Sequence, residues 1–311
     1  MKNEYMKVSA EFLPSVLSVF QYPALRSSPR NPPMPPSAAK SDPLRLELAV
    51  IGLGSMGGAI LRGVLESSLL PSDRIGVCDP LADRTSPFQD AGCKVLDPAE
   101  AGRSARVLLA IKPQMLPEVA AAIGPATDPR LAISVMAGIG SDGIAAALGD
   151  HTRIVRAMPN TPAAIGAGVT AIAPGRGASE EDLDFACMLF TAVGSTVDVD
   201  EAHMHAVTAV SGSGPAWVFR KAEAWISAAI AEGLATDTAK ILVTETLFGA
   251  ARLLRESEDD AGRLREAVTS KGGTTAAGLA ALDDNGFDEA VHAAVKAAAR
   301  RGRELDALNE G

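Results

Sequence analysis

Six residues, Gly52-Leu53-Gly54-Ser55-Met56-Gly57, stand between a short apolar run, Leu48-Ala49-Val50-Ile51, and a stripe of helical spacing that opens at Ala59-Ile60-Leu61. A G-x-G-x-x-G spacing at a strand-to-helix junction suits a pyrophosphate. The first glycine permits the tight turn, the second lets phosphates reach the backbone, and the third lets helix and strand pack closely. The helix N-terminus adds N–H groups and a positive dipole. Asp79 closes the next apolar run at about the twenty-residue spacing where an acidic side chain accepts hydrogen bonds from an adenosine ribose diol. Together these predict a dinucleotide site. The acid repels a 2′-phosphate and favours NADH, whereas Arg84 nearby can pair with that phosphate and favour NADPH, so both cofactors stay open. Asp79 also has a structural reading, as a turn residue before Pro80.

The residue inventory then restricts the reaction. Short-chain dehydrogenases use a tyrosine hydroxyl, but Tyr5 and Tyr22 both precede the fingerprint. The opening Gly52–Gly57 motif also resembles that of the β-hydroxyacid dehydrogenases, whose catalytic lysine follows a G-x-G-x-x-x-K pattern. Read from Gly212 and Gly214, that position holds Val218, and Lys221, almost one turn on, is expected to be solvated or to snorkel along its helix. His151, His203, His205 and His292 lack metal-ligand spacing, and Cys78, Cys93 and Cys187 lack a C-x-x-C pair, so no metal is expected. No strong acid or base stands out. The chemistry that fits is a hydride transfer needing little proton transfer from protein. A cyclic imine can arrive already protonated and accept hydride at carbon, so the protein has mainly to hold, orient and desolvate it.

Four further segments are more specific than the fingerprint: Arg106 to Gln114 (RVLLAIKPQ), Arg156 to Pro162 (RAMPNTP), Thr208 to Ala216 (TAVSGSGPA) and Thr269 to Thr275 (TSKGGTT). In this order, with the Gly52 motif before them, they resemble the pyrroline-5-carboxylate reductase family over about residues 48–305. The resemblance implies reduction of L-1-pyrroline-5-carboxylate to L-proline with hydride from NADPH or NADH. It places Gly52, Leu53, Gly54, Ser55, Met56 and Gly57, the turn Ala110-Ile111-Lys112-Pro113, and Val135-Met136-Ala137 around the cofactor. It makes Ser270 to Thr275 the substrate loop, with Ser270, Gly273, Thr274 and Thr275 as contacts. Thr275 is the threonine whose hydroxyl bonds the ring nitrogen, and Glu258 the acidic residue near the substrate. The loop suits that task physically, because Gly272 and Gly273 can take unusual backbone angles and a helix opening near Thr274 offers N–H groups to a carboxylate. Helix capping by Thr274 and Thr275 is compatible with it. One departure is Lys271, where the family usually has proline. The resemblance also implies interlocking homodimers that build larger homo-oligomers, the substrate loop facing the neighbouring subunit's cofactor.

The elements that must position these residues are legible as alternation. Apolar runs recur at Ile75–Cys78, Val107–Ile111, Leu131–Val135 and Ile154–Val155, separated by crossover lengths, which predicts a parallel, doubly wound Rossmann-type sheet with helices on both faces. Val169–Ala173 and Thr196–Val199 read as two more strands around a helix that Ser179 and Asp182 can open as a capping box. Beyond Glu201 the chain reads helical over 201–232, 236–256 and 287–308, with Ser211 to Pro215 beginning or interrupting the first helix. The expected class is α/β, with a dinucleotide-binding domain at 46–200 and an all-helical substrate and dimerisation domain at 201–311.

Composition sets the outer bounds. A net charge of −9 argues against nucleic acid as a partner, and no run approaches the roughly 20 apolar residues of a membrane span. The scattered cysteines fit a reducing, cytoplasmic setting. Residues 1–45 differ: Lys2, Lys7, Arg26, Arg30, Lys40 and Arg45 outnumber Glu4, Glu11 and Asp42, and Pro32-Pro33 and Pro35-Pro36 oppose regular structure. This stretch is expected to be a disordered, Pro-rich extension, with an organelle-targeting peptide as the weaker reading.

Overall fold

Strands and helices alternate from Leu48 to Asp198: β1 (Leu48–Ile51), α1 (Ser55–Glu66), β2 (Ile75–Cys78), α2 (Ala82–Asp90), β3 (Lys94–Val95), α3 (Pro98–Ala101), β4 (Arg106–Leu109), α4 (Leu116–Ile123), β5 (Arg130–Ser134), α5 (Ser141–Leu148), β6 (Thr152–Met158), β7 (Gly168–Pro174), α6 (Glu180–Thr191) and β8 (Gly194–Asp198). The structure, a computed structural model, describes residues 46–126 and 128–309; the expectations for residues 1–45 lie outside them. The eight strands form one sheet in the order β3-β2-β1-β4-β5-β6-β7-β8. Each strand of the central group is a continuous apolar run because helices cover both faces: Leu48 and Val50 point into one core with Ile60 and Phe190, while Ala49 and Ile51 point into the other with Leu109 and Ile144.

The sheet departs from the all-parallel expectation at one edge. β6 and β7 pair antiparallel, and β8 follows β7 in parallel. The link between β6 and β7 is a single short 3₁₀ turn, Thr161–Ile165, too short for the crossover that a parallel return requires, whereas α6 supplies such a crossover to β8. Ser179 and Asp182 form the expected capping box on α6, and Arg153 holds the same carboxylate through contacts of 2.8 and 2.9 Å. On the neighbouring strand β5 the buried Arg130 donates to the carbonyls of Gly102, Gly124 and Leu148, so one cation meets the C-terminal ends of α3, α4 and α5.

The remainder is helical: α7 (Met204–Val207), α8 (Gly214–Ala231), α9 (Thr236–Glu256), α10 (Ala261–Ala267), α11 (Thr274–Asp284) and α12 (Phe287–Asn309). The helix expected over 201–232 is divided by a π-helical turn at Thr208–Gly212. Thr208 and Ser211 each donate a hydroxyl to the carbonyl four residues back, and Pro215, having no N–H, sits at the start of α8, where none is needed. Alone, these helices bury little. No residue of α8, α10 or α11 is buried, and only Ala239 and Val243 are buried in α9. Phe219, Ile241 and Phe248 are each more than 60% exposed. Apolar faces of this extent belong against another chain.

Candidate active site

The chain runs outward from β1 to β2 and β3, then returns to β4 on the other side of β1, so the C-terminal ends of β1 and β4 frame the switch-point crevice where open α/β sheets bind ligands. Gly52, at φ 90°, turns the chain out of β1 and donates to the Cys78 carbonyl at 2.9 Å. A Cβ at Gly52 would lie 2.5 Å from the Ala110 oxygen, and one at Gly57 would lie 2.0 Å from the Gly52 oxygen and 2.9 Å from Ala110 Cβ. The first and third glycines therefore let β1, α1 and the turn after β4 close on one another. Gly54 has nothing within 4 Å of its Cβ position, and it opens the 12-residue α1 with no side-chain cap. Open space above a glycine, beside the N–H groups of Ser55 and Met56, is what a pyrophosphate needs, so the residues fit a dinucleotide. Gly57→Ala is expected to abolish dinucleotide binding and to destabilise the fold by roughly 1–3 kcal/mol or more, read from calorimetric titration and a denaturant midpoint.

The turn Ala110-Ile111-Lys112-Pro113 follows directly: Ala110 donates to the Ile51 carbonyl, and Lys112 is exposed ahead of a 3₁₀ turn at Pro113–Met115. Val135 and Ala137 lie half-buried after β5, on the same edge. Met136 does not present its side chain there. It is 2% exposed within the core between sheet and helices, and its N–H bonds Ser134 Oγ, so only its backbone remains on the cofactor side. The Leu53 side chain is likewise in the core. Asp79 is nearly enclosed: Oδ2 accepts from Leu53 N at 2.8 Å and Oδ1 from Leu81 N at 3.0 Å. Behind it, burial first and then the charges of Asp79 and Asp97 push the Cys78 thiol up.

Two contacts unread in the sequence join the sheet to the helices. Glu201 accepts from Ser141 N at 2.7 Å and from Ser141 Oγ at 2.6 Å, and its Oε1 lies 3.4 Å from the buried Arg156. It thus caps α5 from outside, where Gly140 cannot, and holds the far end of the Val135–Gly140 loop. The signal was faint, because a capping carboxylate sixty residues away leaves no local spacing. Glu201→Gln, which removes the negative charge beside the buried Arg156, is expected to cost about 2 kcal/mol, measured as a fall in denaturant midpoint. On the other side, Met158 of the M-P-N-T-P segment lies 2.8 Å from where a Gly212 Cβ would stand, so two of the specific segments meet at the junction. Asn160 Oδ1 accepts from Val169 N and stabilises that loop.

The Ser270 to Thr275 loop leads into α11 in the helical region. Gly272 takes the left-handed conformation, φ 74°, but Gly273 is an ordinary extended residue; a Cβ there would meet Ser270 Oγ at 2.4 Å. Gly273 precedes the 11-residue α11 without a side-chain cap, so the N–H groups of Thr274 and Thr275 have no helical acceptor. Ser270, Thr274, Thr275 and Glu258 are all exposed, and α11 packs principally on α12. Val218 is half-exposed on α8, and Lys221 Nζ lies 5.6 Å from the centre of the Trp225 ring. His205 pairs with Asp306 at 3.2 Å, tying α7 to α12. Among the described residues no three His, Cys, Asp or Glu side chains converge as a metal site, and no helix is long and apolar enough to cross a membrane.

Comparison with known proteins bears on both halves. A family model described as pyrroline-5-carboxylate reductase dimerisation matches residues 201–305, and one described as NADP oxidoreductase, coenzyme F420-dependent, matches residues 47–138. A pyrroline-5-carboxylate reductase of Synechocystis sp. is 40% identical over 84% of this chain and 99% of its own length. Among solved structures, a pyrroline-5-carboxylate reductase from Coxiella burnetii superposes with a TM-score of 0.77 at 32% identity, covering 84% of this chain and 98% of the other. The Plasmodium falciparum enzyme, solved with NADP bound, gives 0.74 at 26% identity, covering 85% and 99%. The α/β sheet, the open crevice and the helical dimerisation region thus have matching relatives over nearly their full length: the chain belongs to the pyrroline-5-carboxylate reductase family.

Proposed function

We propose that this protein reduces L-1-pyrroline-5-carboxylate to L-proline, taking hydride from NADPH or NADH. The observation that carries the reading is the pairing of an uncapped, glycine-opened helix N-terminus in each half of the chain, one at Gly54 suited to a pyrophosphate and one at Gly273 suited to a small carboxylate. When bound, the reduced nicotinamide supplies the hydride that the imine carbon accepts. The chain's residues do the rest. Gly52 to Gly57 seat the pyrophosphate, and the turn Ala110 to Pro113 with the backbone of Val135 to Ala137 lines the crevice beside it. The N–H groups of Thr274 and Thr275 hold the substrate carboxylate, Ser270 and Gly273 shape the loop, and Glu258 stands at its entrance. The Thr275 hydroxyl accepts a hydrogen bond from the protonated ring nitrogen, fixing which face of the ring is presented. No side chain need hold a strongly shifted proton, because the substrate brings its own.

In this reading residues 46–200 present the hydride donor and residues 201–311 present the acceptor. The exposed loop and the unpartnered faces of α8 and α9 are reconciled if the acceptor loop of one subunit meets the donor crevice of the next, in a homodimer that builds a larger homo-oligomer. The three cysteines are unpaired, in keeping with a reducing compartment such as the cytoplasm. The decisive assay follows dinucleotide oxidation by the purified full chain given pyrroline-5-carboxylate. Turnover with at least one of the two nucleotides is expected; none with either, at any protein concentration, overturns the assignment. Turnover of unrelated cyclic imines with equal efficiency would instead favour a general imine reductase.

A further inference from the structure

We propose that His205 and Asp306 are positioning residues for hydride transfer: through the end of α12 they fix the loop between β5 and α5, beside which the nicotinamide half of the cofactor lies. The proposal rests on the reductase reading in needing a dinucleotide. A dinucleotide seated by its pyrophosphate at the end of β1, with its adenosine half over β2, sends its other half across β4 towards β5. The chain leaves β5 there as Val135 to Gly140, with Val135 and Ala137 half-buried and Met136 and Ile139 anchored in the core. Against the middle of this loop stands α12. Gly138 takes the left-handed conformation, φ 70°, and a Cβ there would lie 3.1 Å from Leu305 Cβ and 3.7 Å from Asp306 N. A loop packed this closely on a helix keeps its shape only while the helix keeps its place.

One short stretch of chain holds both the loop and the helix. Glu201, in the 3₁₀ turn Glu201–His203, accepts from Ser141 where the loop ends, and four residues on, His205 Nε2 lies 3.2 Å from Asp306 Oδ2. Both side chains of that pair are 19% exposed. Gly302, one turn before Asp306, makes the approach possible, because a Cβ there would stand 3.0 Å from His205 Nδ1. Among the described residues Asp306 Oδ1 is buried with no hydrogen-bond partner, so the placement of the carboxylate depends on its contact with His205. Leaving an enclosed carboxylate unpaired is costly. The pair therefore specifies where α12 sits on α7 and, through Leu305 and Gly138, the shape of the cofactor loop.

Calorimetric titration of the full chain with NADPH and NADH, and with the matching fragments that lack nicotinamide, ADP-ribose 2′-phosphate and ADP-ribose, separates positioning from a general loss of structure. His205→Ala is expected to weaken the whole dinucleotide by about three- to tenfold and to leave its fragment within about twofold of wild type. With pyrroline-5-carboxylate it lowers kcat by about tenfold, while KM for that substrate stays within about twofold. His205→Gln, which keeps a donor of similar reach, recovers most of both losses. His203→Ala, two residues earlier with its side chain 68% exposed, stays at wild type. Should His205→Ala fail to fold, Asp306→Asn, which keeps the shape and loses the charge, reads the same contrast. Equal weakening of dinucleotide and fragment, wild-type values throughout, or no recovery in His205→Gln would overturn the proposal. The fragment comparison needs no turnover: a wild type that binds dinucleotide without reducing pyrroline-5-carboxylate defeats the substrate assignment, and the binding contrast still decides the role of the pair.

Discussion

Replacing Phe248 by glutamate is expected to convert the oligomer to monomers and to lower turnover more than about a hundredfold, because apolar contact surfaces tolerate no unpaired carboxylate. Phe248 is 63% exposed and lies two turns from Ile241, 64% exposed, on the same stripe of α9. Against water these side chains contribute nothing; between two chains each becomes core. The effect on turnover follows from the proposed sharing of one site between two chains. If the loop at Ser270 to Thr275 must reach a neighbour's crevice, a monomer binds dinucleotide and cannot present substrate to it. Light scattering reports the oligomeric state, circular dichroism the retained helices, and initial rates the loss. A monomeric variant with wild-type turnover would show that each chain completes its own site. Phe248→Leu, which keeps the apolar contact, should retain assembly and rate.

Thr275→Ala is expected to lower kcat by about ten- to a hundredfold with dinucleotide affinity within about twofold of wild type, the range for one hydrogen bond to a charged group. The substitution separates chemistry from folding well. Thr275 is exposed in the first turn of α11, whose N-cap is the Gly273 backbone, and alanine is the better helix former. A loss of rate therefore reports the missing hydroxyl. Thr275→Ser, which restores it, should recover most of the activity. If Thr275→Ala weakened dinucleotide binding as much as turnover, the hydroxyl would be acting on the loop's position and not on the ring nitrogen. Together with Phe248→Glu, this variant distinguishes a site that is assembled but chemically impaired from one that is never assembled.

Most of the local architecture is legible in the sequence. The β1 strand, the glycine loop and α1 are specified by contiguous residues whose apolar run, glycine spacing and helical stripe agree, and the Ser179–Asp182 capping box is a four-residue signal that the structure reproduces. Gly272 takes the left-handed angle its residue type permits. The π-helical turn at Thr208–Gly212 overlaps the Ser211 to Pro215 segment, which the sequence reads as beginning or interrupting the first helix.

What the sequence by itself determined is thus whatever depends on neighbours along the chain: element types, the family, and the two glycine-opened helix starts. Tertiary structure decided the rest, because those outcomes turn on groups brought together from far apart. Strand direction at β7 was set by the length of a turn and not by its own apolar residues, which suit either direction. Met136 belongs to the core because α5 folds back over it, and Glu201 became the cap of α5 because the helical region docks there. Asp79 illustrates the same limit most sharply. Its position marks it as a ribose acceptor, but its carboxylate is consumed by an N–H from a loop that only the folded sheet places within 2.8 Å.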